Sequence, residues 1–263
     1  MRETTYFSGP RPRLFAHRGA SGVAPENTIA AFRSGMEAGA THLEMDVHAT
    51  RDGRIVVVHD PMLDRTTDVT GAVRELDWAV VRNADAGARF VDPLGRCSYA
   101  ARGIRIPLLE EVLDAFPGVP LNVEVKQSYP TIVGAVVGLL ERAGATGRVL
   151  LAAEGQGIMN EIRRAYRGPT GFSADEVLEF YQCSIDDRMN DYRPPGAALQ
   201  VPARHEGIEV VTEKFVADAH RVNLEVHVWT VNEGDEIRRL LRLGVDGIMS
   251  DFPELAARVI AGG

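Results

Sequence analysis

Short β-branched, apolar runs alternate along the chain with longer stretches in which apolar residues recur every three or four positions. The short runs suit buried strands and the longer period suits amphipathic helices, so the alternation predicts an α/β fold with a parallel sheet. Strands are expected at 13–17, 41–48, 55–58, 121–125, 149–152, 170–173, 197–201, 224–230 and 244–249. Helices are expected at 27–38, 107–116, 131–142, 157–167, 174–181, 212–221, 235–243 and 253–261. The 107–116 stretch shows the pattern well, with Leu109, Val112, Leu113 and Phe116 on one face.

One connection departs from this rhythm. Arg51-Asp52-Gly53-Arg54 is a turn signal between 41–48 and 55–58. It is too short for a parallel crossover, so these two strands should form an antiparallel hairpin. Setting the hairpin strand aside leaves eight parallel strands, the number that closes a (β/α)8 TIM-type barrel. An open doubly wound sheet is the competing architecture. It calls for a Gly-rich phosphate loop after the first strand, where this chain reads His17-Arg18-Gly19-Ala20-Ser21-Gly22. Residues 60–103 are polar and Gly-rich, with Trp78, Phe90 and Tyr99 among them. They are expected to be an insertion with little regular structure, lying over the barrel mouth within one domain spanning 1–263.

Composition narrows the class of protein. Of the 263 residues, 45% are hydrophobic and 25% charged, enough to bury a large core without disulfides. The formal net charge is −8 and no basic stripe appears, which argues against a nucleic-acid partner. Cys97 and Cys183 lack metal-binding spacing and read as two free thiols of a reducing compartment. The first residues hold no apolar leader segment, and no apolar run approaches spanning length. A cytoplasmic protein without stable membrane insertion is expected.

The strand ends carry the chemistry. His17 and Arg18 end the first strand, and His59 ends the hairpin strand. Glu44 and Asp46 stand at i and i+2 on the second strand, as do Glu124 and Lys126 on the fourth, so each pair shares one face of the sheet. Taken singly, each has a structural explanation, such as an ion pair inside the barrel. Charged groups at alternate positions of apolar strands are costly without partners, however, and seven such groups at neighbouring strand ends point to a site. Three carboxylates with no cysteine suit a hard divalent cation, Mg2+ or Ca2+. Arg18 and Lys126 suit phosphate oxygens, and a histidine pair suits general acid–base work near neutral pH.

These residues lie in motifs that resemble the glycerophosphodiester phosphodiesterase family. The resemblance runs through AHRGASGVAPENTIAAF at 16–32, GATHLEMDVHATRDGRIVVVHD at 39–60, LDRTT at 63–67, IPLLEEVL at 106–113 and LNVEVK at 121–126. It ends in VHVWTVN at 226–232 and VDGIMSDFP at 245–253, so it covers nearly the whole chain. It implies that His17 and His59 are the acid–base pair and that Glu44, Asp46 and Glu124 are metal ligands. It implies phosphate contacts for Arg18 and Lys126, and an aromatic wall beside the glycerol for Trp229. The implied substrate is a small glycerophosphodiester, hydrolysed to sn-glycerol 3-phosphate and an alcohol, with water or the glycerol 2-hydroxyl as nucleophile.

Several residues keep two readings. Asn27 serves either as a helix N-cap or as a group reaching the site, and Trp229 either packs in the core or faces the mouth. Gln200 is read as a structural amide, Asp60 as orienting its neighbourhood, and Asp251 as bracing the last loop or capping a helix. His42, His48, His205, His220 and His227 have no motif support and read as surface or core residues. Rival functions are a lysophospholipase D-like or sphingomyelinase D-like reaction on the same site, a non-catalytic phosphoester-binding module and a glycosidase. Glu124-x-Lys126 and Trp229 favour the glycerol branch. The full set of acids and histidines argues against a mere binding module, and the paired cations argue for an anionic substrate over a neutral sugar.

Overall fold

The computed structural model describes residues 4–262, and the two ends of the span expected to form one domain lie outside the described residues. Strands β1 (Arg13–Ala16), β2 (His42–Ala49), β4 (Leu121–Val125), β5 (Val149–Ala152), β6 (Ala198–Pro202), β9 (Glu225–Trp229) and β10 (Gly247–Ser250) form one parallel sheet. Their order is β5-β4-β2-β1-β10-β9-β6. Most of their residues are buried, because one face meets helices and the other faces the barrel interior. Strand β3 (Ile55–Val57) pairs antiparallel with β2, with Val47 opposite Val57, as the short turn required.

The strand expected at 170–173 is a correction. It shrinks to a single parallel bridge between Thr170 and Leu151. The Gly171 N–H donates to the Leu151 carbonyl at 2.9 Å, and the Thr170 carbonyl accepts from Ala197 N–H at 2.8 Å, so the segment spans the gap between β5 and β6. Gly168-Pro169 precedes it, and Ser173 already caps the next helix, accepting from Glu176 N–H. Only a residue or two is left to pair. The curled sheet is that of a TIM-type barrel. A two-stranded hairpin, β7 (Arg204–His205) with β8 (Ile208–Glu209), follows β6 and was not anticipated.

The helices α1 (Ile29–Glu37), α3 (Leu109–Ala115), α4 (Val133–Arg142), α5 (Gln156–Ala165), α6 (Ala174–Ile185), α7 (Glu213–Arg221), α8 (Gly234–Arg242) and α9 (Pro253–Ala261) put apolar faces into one core with the strands, through residues such as Phe32, Leu109, Val136, Phe180 and Phe215. Residues 60–103 have little regular structure, as expected, but they are not without a core. They hold a short helix, α2 (Trp78–Val81), and a small apolar core in which Leu63, Val73, Val81 and Ala84 pack with Val56, Ile106 and Leu108. Cys97 is exposed and Cys183 buried, both as free thiols. No helix of the described residues is long and apolar enough to cross a membrane.

The barrel interior is filled at its N-terminal end. Phe15 lies between the His42 and His227 rings, at centroid distances of 4.6 and 4.7 Å, with Tyr6 beneath His42. Arg13 is 1% exposed and forks onto Glu225, with Nε and Nη2 each 2.8 Å from a carboxylate oxygen. Burial opposes the Glu225 charge, but the Arg13 hydrogen bond outweighs it and the carboxyl falls to about 2. Its folded pKa thus lies below the ordinary 4.5, so this stabilisation is present above pH 4.5 and is lost as pH falls towards 2. Arg13→Ala is expected to cost about 3 kcal/mol in urea unfolding at pH 7, because it takes the bidentate partner from a buried carboxylate that is left with only His227 and the more distant Arg11. The cost should shrink as the pH is lowered through that window. A loss below about 1 kcal/mol, or one independent of pH, contradicts this account.

Candidate active site

The ends of β1 and β4 and the middle of β2 gather Arg18, Glu44, Asp46, Glu124 and Lys126 around one acidic centre, with His17 beside Glu44 and His59, after β3, near enough for its charge to act on Asp46. Glu44 and Asp46 point inward from β2, and Glu124 stands opposite Asp46 in the register of β4. One ligand oxygen from each of the three lies within 4.8 Å of the others. Lys126 Nζ lies 2.9 Å from Glu124 Oε1 and 3.3 Å from Asp46 Oδ1, and Arg18 Nε lies 3.3 Å from Asp46 Oδ2.

The H-R-G motif is built by backbone geometry. Arg18 and Gly19 both take left-handed conformations, with φ of 55° and 83°. This turn aims the Arg18 N–H at Glu44 Oε2, at 2.9 Å. A Cβ on Gly19 would stand 2.5 Å from the Ala31 carbonyl carbon, so only glycine lets the loop close on α1. The P-E-N-T motif is resolved as well. Thr28, not Asn27, is the N-cap of α1, accepting from Ala31 N–H at 3.2 Å. Asn27 instead donates to Asp46 Oδ2 at 2.9 Å and accepts from Asp46 N–H at 3.3 Å.

Each histidine of the expected pair is backed by an aspartate. His17 Nδ1 is 2.7 Å from Asp251 Oδ1, and its Nε2 is 4.0 Å from Glu44 Oε2. Asp251 also accepts from Ser21 Oγ and Asn232 Nδ2, both at 2.7 Å. His59 Nδ1 is 2.6 Å from Asp60 Oδ1. Ser21 and Asn232 were missed in the sequence, although both sit inside quoted motifs. The other histidines are occupied elsewhere: His42 Nε2 on the Tyr6 carbonyl, His48 Nε2 on the His59 carbonyl, His220 on Asp246 and His227 on Glu225. His205 is exposed on the β7–β8 hairpin. Gln200 donates to Asn122 Oδ1 at 2.7 Å.

Electrostatics set these groups apart. Burial, and then the Asp46 charge, push the Glu44 carboxyl up to about 7. Burial acts the same way on Asp46, but Lys126 and Arg18 outweigh it and hold that carboxyl below its ordinary range. Burial disfavours a charged His17, yet the Asp251 hydrogen bond and the Glu44 charge prevail and raise its pKa. The Arg65 hydrogen bond is the leading cause that takes Asp60 down to about 2. Glu44 therefore stands as a buried carboxylate beside two other acids. Three clustered carboxylates whose mutual repulsion Lys126 and Arg18 only partly offset, leaving Glu44 raised, are an all-oxygen donor set that fits a hard divalent cation.

Trp229 does not pack in the core. It ends β9, is 41% exposed, and lines a cleft of about 350 Å3 with Pro202, Arg204, Asn232 and Glu233. Asn232 joins this cleft to the Asp251–His17 pair.

Residues 17–255 match the model of the glycerophosphoryl diester phosphodiesterase family. A glycerophosphodiester phosphodiesterase of Bacillus altitudinis is 31% identical over 257 residues, covering 94% of this chain and 97% of that protein. The glycerophosphoryl diester phosphodiesterase domain of a Mycobacterium tuberculosis protein superposes with a TM-score of 0.81 at 23% identity, over 97% of this chain and all of that one. A phosphodiesterase of Oleispira antarctica, solved in complex with the product sn-glycerol-3-phosphate, superposes with a TM-score of 0.76 at 24% identity, over 95% of this chain and 97% of that one.

Proposed function

The chain belongs to the glycerophosphoryl diester phosphodiesterase family and is a phosphodiesterase of that kind, and from that premise we propose that it hydrolyses small glycerophosphodiesters to sn-glycerol 3-phosphate and an alcohol. The observation that carries the reading is a triacid centre flanked by Arg18 and Lys126, with His17 4.0 Å from Glu44, His59 close enough for its charge to act on Asp46, and an aspartate behind each histidine. The product bound by the Oleispira antarctica phosphodiesterase supports the glycerol 3-phosphate end of the substrate.

In the proposed reaction Arg18 and Lys126 turn from their carboxylates to the phosphoryl oxygens, the first as a planar fork and the second as a point charge. Asp251 and Asp60 accept from the Nδ1–H of His17 and His59, leaving each Nε2 free to move a proton. One histidine takes the proton of the attacking hydroxyl, and the other delivers a proton to the departing alkoxide. The same transfers serve whether the nucleophile is water or the glycerol 2-hydroxyl. Glu44, Asp46 and Glu124 would hold Mg2+ or Ca2+, which would supply positive charge to offset the charge of the phosphoryl group. Release of glycerol 3-phosphate from glycerophosphocholine, assayed beside a panel of other glycerophosphodiesters, lysophospholipids and sphingomyelin, tests the reading. Cleavage of the lipids with glycerophosphodiesters untouched would overturn it. A cyclic phosphate in the product mixture would identify the 2-hydroxyl as nucleophile.

Trp229 is proposed as the wall beside the glycerol. Because its ring is exposed, Trp229→Ala is expected to raise KM for glycerol esters about tenfold, as loss of apolar contact worth about 1–3 kcal/mol does, with a much smaller drop in Tm than a core truncation gives. An unchanged KM would remove Trp229 from the substrate site.

Residues 60–103 are proposed to cover the mouth and help select the leaving alcohol. The segment leaves the barrel beside His59, and its far part carries exposed Val91 and Leu94. Trimming 91–99 spares the small apolar core, and it should change the ranking of substrates in the panel more than the Tm. An unaltered ranking would leave the segment a structural role only.

A further inference from the structure

The motif Leu63-Asp64-Arg65-Thr66-Thr67 has no task in the reaction above, yet the chain builds it firmly. Leu63 is fully buried in the small core of the 60–103 segment. Thr67 is buried and donates through Oγ1 to the Leu63 carbonyl at 3.0 Å, and Asp64 Oδ2 accepts from Gly71 N–H at 3.1 Å. These contacts fix a turn from which Arg65 reaches out towards the barrel mouth.

The Arg65 guanidinium joins two carboxylates from separate loops. Nη1 and Nη2 donate to the two oxygens of Glu26, each at 2.7 Å. Nε donates to Asp60 Oδ2 at 2.6 Å, and Nη2 also donates to Asp60 Oδ1 at 3.2 Å. Each carboxylate then holds a member of the proposed site. Asp60 Oδ1 lies 2.6 Å from His59 Nδ1, and Glu26 Oε1 accepts from Arg18 Nη1 at 3.0 Å. One planar cation thus spans the distance between a proton-transfer group and a phosphate-binding group.

The Arg65 side chain is 48% exposed, so these ion pairs contribute little to global stability. Their use is geometric. A guanidinium presents donors in a fixed fork and can hold two carboxylates at one spacing, whereas an ammonium is a point charge on a flexible stem. We propose that Arg65 is a positioning residue: acting through Asp60 and Glu26, it sets His59 and Arg18 at the separation the phosphodiester requires. This rests on the roles given to His59 and Arg18 above. It also assigns a function to the start of the 60–103 segment that is separate from substrate selection by its far part.

Double-mutant cycles test it. Arg65→Ala, Arg65→Lys, His59→Ala, Arg18→Ala and the doubles of Arg65→Ala with each of the last two would be assayed on glycerophosphocholine, with Tm measured for every variant. Arg65→Ala is expected to lower kcat/KM by about ten- to a hundredfold, the scale of a misplaced catalytic group. The loss should be split between a lower kcat and a higher KM, with a small change in Tm. Arg65→Lys should recover only part of it. The kcat loss should vanish in the His59→Ala background and the KM loss in the Arg18→Ala background. Arg51→Ala, which removes a surface ion pair with Asp77 and touches neither histidine nor Arg18, should leave both constants near wild type. Arg65→Ala with near-normal kcat and KM, beside a strongly impaired His59→Ala, overturns the inference and leaves the reaction scheme standing. Loss that persists undiminished in both backgrounds, or that tracks a fall in Tm, overturns it in favour of a structural role. Normal turnover in His59→Ala overturns the acid–base scheme and, with it, the kcat half of this inference.

Discussion

His17→Ala and His59→Ala are each expected to lower kcat by about two to four orders of magnitude, the range for removing a general acid or base. Neither should abolish substrate or metal binding, because Arg18, Lys126 and the three carboxylates remain. Breaking the phosphodiester needs one proton removed from the nucleophile and one delivered to the leaving alkoxide, so one histidine must begin neutral and the other charged. The pH profile of kcat/KM should therefore be bell-shaped, with limbs that belong to the coupled pair rather than to either ring. The Asp251 contact that raises the His17 pKa keeps its imidazolium populated to higher pH than that of a free histidine. His17→Ala should accordingly flatten one limb, leaving a profile with a single inflection. The double mutant should be little worse than the worse single mutant, because groups that act in one step are not additive. Clean protein of either single variant with near-normal turnover would take that histidine out of the reaction.

Removal of divalent metal by EDTA is expected to reduce turnover by about a thousandfold, since charge neutralisation at a phosphoryl group is worth several kcal/mol and each 1.36 kcal/mol is tenfold. Mg2+ or Ca2+ added back should restore it, and the titration identifies the ion. Glu44→Gln separates the binding of the cation from the integrity of the fold. In the metal-free protein the Glu44 carboxyl, pushed up to about 7, lies above its ordinary 4.5. The folded state then binds more protons than the unfolded state between those values, so metal-free stability should fall as pH rises from 4.5 through 7. An amide cannot ionise, so metal-free Glu44→Gln should show a Tm at pH 8 no lower than wild type, while calorimetry shows weakened metal binding and the assay shows a large loss of turnover. Full turnover in wild-type protein verified free of metal would refute the assignment. A Tm that collapses in Glu44→Gln would show that the carboxylate is structural.

The strand period was legible before any coordinates, because successive side chains of a strand alternate between its faces. That alone put Glu44 with Asp46, and Glu124 with Lys126, on shared faces, and the β2–β4 register then sets Asp46 beside Glu124. The hairpin was equally legible, since four turn residues cannot cross a sheet. The apolar core of 60–103 was not: Leu63, Val73 and Val81 keep neither a strand nor a helix period and meet only through the path of the loop. Of the two readings open for Trp229, the structure takes the exposed one, a choice that an apolar strand sequence alone could not make because it does not say which residue stands clear at the end.

What the sequence by itself determined was most of the strands and helices, the family likeness and the residue types of the site, all of which are read from short stretches of neighbouring positions; the bridge at Thr170 and the β7–β8 hairpin were not among them. The tertiary structure decided which groups meet. His17 reaches Asp251 across 234 positions and Arg13 reaches Glu225 across 212, because barrel closure sets β10 beside β1 and β9 beside β10. Asn27 turns to Asp46 because its left-handed backbone places it ahead of the Thr28 cap, and Arg65 finds Glu26 because the turn at 63–67 carries its side chain back to the P-E-N-T loop. Such pairings follow from sheet closure and loop dihedrals, which bring distant segments together through many small packing terms that no local period encodes.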